Sequence, residues 1–251
     1  MLREPELSKE GVYVIHVLKG YELHEQRIRR TFKTFDLSHA FITEGDPSLF
    51  TNDVLNAYFI PGIKEKLQTG ILSCTLNHFF AYEALIKDQL SYAIVFENDP
   101  FFMLHFTENL HKFLEERKQL PPGHIISLEN STLRFPSFFQ KKKGKCLYKA
   151  RSGRMAGAYI IDHLGAQKIL EYTKKMKCNN VIDWWHNHLI DEGIVDMYWA
   201  HPPIVEQGSH NGRMQGAIST KSKSVFRLLA WEIQKFYKSN IGRLRDQKDI
   251  Y

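Results

Sequence analysis

The stretch Ser91-Tyr92-Ala93-Ile94-Val95-Phe96-Glu97-Asn98-Asp99-Pro100 decides how the chain is read. Its first six residues contain no Gly or Pro and are rich in apolar, β-branched and aromatic side chains, so they read as a strand. That strand delivers Glu97, Asn98 and Asp99 into a turn at its C-terminal end. In open α/β sheets this is the edge along which ligands bind.

Upstream, Gly11 to Leu18 is a short β-branched and aromatic run, too short for an ordinary helix, and reads as a buried first strand. Leu23, Ile28, Phe32 and Phe35 then recur at helical spacing, and Ala40 to Thr43 offers a second strand, giving a βαβ opening. After loops holding Gly45-Asp46-Pro47 and Pro61-Gly62, the apolar segment Ile71 to Ile86 lacks Pro and Gly and reads as a buried helix. Downstream of the acidic turn, a helix over Phe106 to Leu120 stops at Pro121-Pro122-Gly123, and His124 to Leu128 is a strand. Lys141 to Lys145 reads as a solvated basic turn. Ala156 to Ile161 is a further strand, Asp162 caps a helix running to about Lys175, and Asn179 or Asn180 caps one that contains Val181 to Trp185. This alternation makes the fold class α/β with a mostly parallel, Rossmann-like sheet.

A chain of 251 residues, 43% hydrophobic and 25% charged, is enough for one large globular domain with a sizeable core. Cys74, Cys146 and Cys178 form no CxxC pair and read as free thiols. The polar start Met1 to Glu6 has no apolar leader, and no segment offers about 18 uncharged apolar residues, so the expected location is cytoplasmic. The net charge of +6 is local: from Lys221 onward eight Lys and Arg face three acids, leaving about one positive charge for the rest. Positive charge confined to one end argues against a nucleic-acid-binding domain. The expected division is a domain over 1–220 and a tail over 221–251. Within the tail Val225, Leu228, Leu229, Ile233, Phe236, Tyr237, Ile241 and Leu244 recur at helical spacing between Lys and Arg. Such a basic amphipathic helix either docks peripherally on an anionic membrane or packs back on its own domain.

A strand that presents Glu-x-Asp suits a hard divalent cation, Mn²⁺ or Mg²⁺, which prefers carboxylate oxygens and can bridge a diphosphate. Alone, such a turn is more often solvated than a site. Four segments, in order, change that balance: Val12-Tyr13-Val14-Ile15-His16-Val17, Gly70 to His78, Ala93 to Asp99, and Ala156 to Ile161 continuing through Gly165-Ala166-Gln167-Lys168. Together they resemble the VINL, GCxxSH, ILEDD and GTxGYxxxxxGAxKLL blocks of glycosyltransferase family 25, the lipooligosaccharide galactosyltransferases and related collagen galactosyltransferases. Val181-Ile182-Asp183-Trp184 and Pro202 to Gln207 extend the likeness weakly, over roughly residues 11 to 220.

The resemblance implies a GT-A-like single domain that transfers a hexose, galactose by family, from a UDP-sugar with inversion. The acceptor it implies is a saccharide or lipid-linked saccharide of a surface glycan. Glu97 and Asp99 are the expected metal ligands, with His210 as a third. Val14, His16, Asn77 and His78 join the two acids as residues expected to bind the donor. Inversion needs a base opposite the departing diphosphate. Asp183 is the candidate, near a helix N-terminus that favours its ionised form and beside Trp184 and Trp185, whose faces suit a sugar. The sequence departs from the family pattern at three positions: Asn98 replaces the middle acid, Asn77 the serine before histidine, and His16 the asparagine of the first strand. Asn98 keeps open a second reading, a catalytically inactive nucleotide- or carbohydrate-binding member of the same fold.

Overall fold

The structure, a computed structural model, describes residues 11–211, 213–214 and 225–241, without the side chains of residues 210 and 225–227. In chain order the elements are β1 (Val12–Ile15), α1 (Glu22–Thr34), β2 (Ala40–Ile42), α2 (Asn52–Tyr58), α3 (Ile63–Lys66), α4 (Thr69–Lys87), β3 (Tyr92–Phe96) and β4 (Pro100–Phe102). There follow α5 (Phe106–Arg117), β5 (His124–Ser127), β6 (Leu147–Ala150), β7 (Ala158–Asp162), α6 (His163–Met176), α7 (Ile182–Asp191), β8 (Asp196–Ala200), β9 (Val205–Gln207), α8 (Gly208–Asn211) and α9 (Val225–Asn240).

Seven strands form one sheet in the order β2-β1-β3-β7-β5-β8-β6. β1 pairs in parallel with β2 and β3, and β5 with β8, while β7 and β6 pair antiparallel with their neighbours. Tracing direction across the sheet, only β7 and β6 run against the other five, so the sheet is mostly parallel, as the sequence implied. From β1 the chain steps to β2 on one side and then, through α4, to β3 on the other. The C-terminal ends of β1 and β3 therefore flank a topological switch point, where a crevice opens between diverging connections.

Side chains alternate across β1. Tyr13 and Ile15 join the core built on α4, α6 and α7, whereas Val12 and Val14 join the one beneath α1 and α5. The first core includes Leu76, Phe79, Tyr82 and Leu85 of α4, each fully buried, which is why that helix reads as apolar nearly all round. Asp162 caps α6 as expected: its Oδ1 accepts the Gly165 amide at 2.9 Å. The same carboxylate accepts the amides of Gly123 and His124 at 2.7 and 2.9 Å, tying the start of β5 to the end of β7. The cap of α7 differs from expectation, being Val181 without a side-chain bond. Asn180 instead accepts the Val181 amide through Oδ1, just outside the helix.

A two-stranded ribbon positions the acidic turn. β4 begins at Pro100 and pairs antiparallel with β9, with Pro100 opposite Gln207, so the end of β9 returns beside Glu97 and Asp99. β9 also fixes α9: Lys235 Nζ donates to the buried Glu206 Oε1 at 2.9 Å. With that lysine turned inward, Ile233 and Phe236 are 62% and 69% exposed, and Leu229 and Ile241 also face water. The tail helix thus docks by a charged contact and, among the described residues, leaves Leu229, Ile233, Phe236 and Ile241 exposed. Among the described residues no helix is long and apolar enough to cross a membrane.

Candidate active site

The switch-point crevice is a cavity of about 660 Å³, within the range of small-molecule sites. Its walls are the end of β1 with Ile15, His16 and Val17, the first turns of α4, the acidic turn, the start of α7 with Asp183, and Gln207 with Ser209 after β9. Of the residues singled out from sequence, His16, Asn77, Glu97, Asp99 and Asp183 line this cavity, and His78 lies just beneath it. Val14 does not. It points through the opposite face of the sheet into the core under α1, because the strand's alternation sends only its odd-numbered neighbours toward α4. His210 sits on α8, but its side chain lies outside the described residues.

The turn is strapped by its main chain. Arg27 of α1 donates to the carbonyls of Pro100 and Asn98 at 2.7 and 3.1 Å, and His24 Nδ1 lies 3.4 Å from the Asn98 carbonyl. The guanidinium also rests over the Phe101 ring and beside Asp99. Glu97 Oε2 accepts Gln207 Nε2 at 2.9 Å, while Asp99 Oδ2 accepts the Ser209 amide at 2.8 Å. Asp99 Oδ1 is buried and meets no hydrogen-bond donor among the described residues. A buried carboxylate oxygen without a donor is costly unless a cation takes its lone pairs, so the donor set fits a hard divalent ion held by Glu97 and Asp99.

Negative charge is concentrated around this point. Burial first, and then the Glu97 charge, push Asp183 up to about 6, against the opposing pull of the Ala156 amide, which donates to Oδ1 at 2.6 Å. Burial therefore outweighs the helix N-terminus that the sequence suggested would keep this group ionised. Glu129, fully buried, is likewise held well above the usual carboxylate range by burial and by Glu97 and Asp99. Carboxylates that repel one another in a low-dielectric pocket raise the affinity for a cation placed between them.

Asn77 serves the walls: its Oδ1 accepts the Gly45 amide at 2.7 Å and its Nδ2 donates to the His16 carbonyl at 3.0 Å. It joins the loops after β1 and β2, with both polar atoms spent on protein. Burial lowers the His16 imidazole, and Glu25, 3.9 Å away, opposes that shift only in part. Trp184 and Trp185 separate. Trp184 is 64% exposed, whereas Trp185 is in the core with Nε1 donating to Thr173 Oγ1 at 2.9 Å, so only one of the pair faces solvent.

Gln207, Arg27 and Cys74 were not legible as site residues. Gly157 lies against Gln207: a Cβ there would run into Glu129 and the Gln207 amide. Gly157→Ala is expected to lower the thermal midpoint by roughly 3–10 °C, the effect of overpacking by about 1–3 kcal/mol. An unchanged melting curve would show that Gln207 gives way freely.

A mostly parallel sheet with a crevice at its switch point and an acid-x-acid turn at a strand end is the architecture of a GT-A-like fold. The family model described as Glycosyltransferase family 25 (LPS biosynthesis protein) matches residues 13–185, and the chain belongs to that family. Among its relatives is an Aedes aegypti protein named Glycosyltransferase 25 family member, 22% identical over 88% of this chain and 40% of that protein. An Anopheles gambiae protein of the same name is 22% identical over 87% of this chain and 40% of its own length. The chain thus spans well under half the length of these relatives.

Proposed function

We propose that this protein transfers a hexose, galactose by family, from a UDP-sugar to a saccharide acceptor in surface-glycan assembly, with inversion and with Mn²⁺ or Mg²⁺. The observation that carries this reading is the pair Glu97 and Asp99 on the switch-point cavity, with Asp99 Oδ1 left without a donor among the described residues. The two carboxylates hold the cation, which when bound neutralises charge on the departing diphosphate. His16 and Val17 flank the nucleoside end of the cavity, and Arg27 keeps the acidic turn in shape. Asp183 Oδ1 is engaged by the Ala156 amide, so Oδ2 takes the acceptor hydroxyl's proton. Trp184, exposed at the next position of α7, offers its ring to the acceptor sugar. The family's link to LPS biosynthesis supports a glycan of the cell surface as acceptor.

The test is UDP release with Mn²⁺ across a panel of UDP-sugars, followed by the anomeric configuration of the product. Turnover with at least one UDP-hexose and an inverted product is expected. Retained UDP binding without turnover on any donor would sink the enzyme reading and favour the inactive binding member that Asn98 suggests.

The uncovered stripe of α9 supports peripheral attachment to an anionic bilayer, which would hold the enzyme near a lipid-linked acceptor. Ile233→Gln with Phe236→Gln is expected to reduce sedimentation with anionic vesicles by at least about 10-fold, since each buried CH₂ contributes about 0.8 kcal/mol. Equal sedimentation of the variant and the parent would remove the membrane role.

A further inference from the structure

At the cavity floor Cys74, which lines it, and His78, just beneath, project from one face of α4, four residues apart, toward Glu97. His78 is fully buried, and its Nε2 has no hydrogen-bond partner among the described residues. That nitrogen lies 3.7 Å from Glu97 Oε1, and Cys74 Sγ lies 3.8 Å from the same oxygen. One ligand atom from each of the three side chains falls within 4.8 Å of the others. Bonds of about 2.0–2.3 Å at tetrahedral angles place zinc ligands about 3.3–3.7 Å apart, so the two edges to Glu97, 3.7 and 3.8 Å, lie close to that spacing and the third is at most 4.8 Å.

The other nitrogen of His78 ends a chain of buried hydrogen bonds. His78 Nδ1 meets Tyr159 Oη at 2.7 Å, Tyr159 Oη meets Tyr82 Oη at 2.7 Å, and Tyr82 Oη meets His186 Nε2 at 2.7 Å. Each hydroxyl has one proton, so the chain is fully bonded only if every donor points the same way. In one sense His78 Nδ1 donates to Tyr159, and Nε2 presents a bare lone pair toward a carboxylate, which is repulsive unless a cation lies between them. In the other sense Nε2–H faces Glu97 from a distance too long for a good hydrogen bond. A metal-binding histidine ordinarily donates its second N–H to a fixed acceptor, which the first sense supplies.

We propose that Cys74, His78 and Glu97 form a binding site for one soft divalent cation of the zinc class, with the Tyr159–Tyr82–His186 chain fixing the His78 tautomer. The ion displaces the Cys74 proton to solvent and binds the thiolate, the neutral imidazole and the carboxylate, leaving a fourth position for water. The site shares Glu97 with the proposed donor-metal position. On the transfer reading, a soft ion here would draw Glu97 away from the diphosphate and inhibit the reaction. The geometry itself does not depend on that reading.

The experiment uses the full chain without nucleotide, titrated with Co²⁺ and with Zn²⁺ alone. Expected are one Zn²⁺ per chain by elemental analysis and a thiolate-to-cobalt charge-transfer band. Both should be lost in Cys74→Ser, with affinity down by more than about 100-fold, beyond what loss of a supporting hydrogen bond costs. Cys146→Ser should bind as the parent does, and Tyr159→Phe should weaken binding by about 10–100-fold. In the unaltered protein, Zn²⁺ should protect Cys74 and not Cys146 from alkylation, read by mass spectrometry, which needs no variant to fold. A band that survives in Cys74→Ser, or alkylation of Cys74 indifferent to Zn²⁺, would overturn the site. Transfer assayed with Mg²⁺ stands or falls separately.

Discussion

Asp183→Asn is expected to cut sugar transfer by about 10²–10⁴-fold, the range for a general base, while the protein becomes more stable. The asparagine side-chain oxygen can still accept the Ala156 amide that holds Asp183 Oδ1 at 2.6 Å, so the start of α7 keeps its place. What disappears is a carboxylate pushed up to about 6 by burial and by Glu97. A carboxyl whose folded pKa lies above its unfolded value costs nothing at pH values below both. Its destabilisation grows as pH rises from about 4 through 6 and is complete above. Asp183→Asn should therefore melt with the parent near pH 4 and above it at pH 7.5, by on the order of 1–2 kcal/mol. Equal melting at pH 7.5 would mean that the carboxylate is not penalised. The parent's transfer rate should fall below pH 6, where the base becomes protonated. A transfer rate near that of the parent in Asp183→Asn, with UDP affinity retained in both, would remove Asp183 as base.

Asp99→Ala should abolish Mn²⁺-dependent UDP binding, measured by calorimetry with and without the metal, with a loss of at least about 100-fold, or ~2.7 kcal/mol. The effect has two parts that a second variant separates. Alanine removes both the free Oδ1 and the Oδ2 that accepts the Ser209 amide, whereas Asp99→Asn keeps an oxygen for Ser209 and removes only the charge. If the carboxylate acts by holding the cation, Asn fails nearly as badly as Ala. An Asn variant that binds UDP as the parent does would assign Asp99 to holding the loop after β9, and unchanged binding in Ala would put the metal elsewhere.

Much of this arrangement was open to reading from the chain. Periodicity and apolar runs gave β1, β3, α4 and α6 because their burial is nearly complete and local pattern and tertiary need agree. β6 was missed because it is an edge strand whose Lys149 points to water beside a basic turn, so its pattern reads as loop. β4 and β9 are three residues each, too short to carry a period, and they owe their existence to pairing across about a hundred residues. The same distance hid part of the site. Glu97 and Asp99 could be found from their strand end, but Gln207 meets Glu97 across 110 positions, and Arg27 reaches the turn from α1. Val14 was misplaced for the opposite reason, since the strand was identified but its phase was not. Adjacent tryptophans on a helix diverge by about 100°, which no count of aromatic residues reveals.

The strap across the acidic turn has one more implication. Arg27 and His24 grip the carbonyl of residue 98, not its side chain. Any L-amino acid presents that carbonyl, so the loop's shape is insulated from its middle letter. An asparagine there leaves the geometry of Glu97 and Asp99 intact, and exchange at this position alters the cavity's charge without asking the scaffold to adapt. The turn is in effect a mount with a replaceable tip.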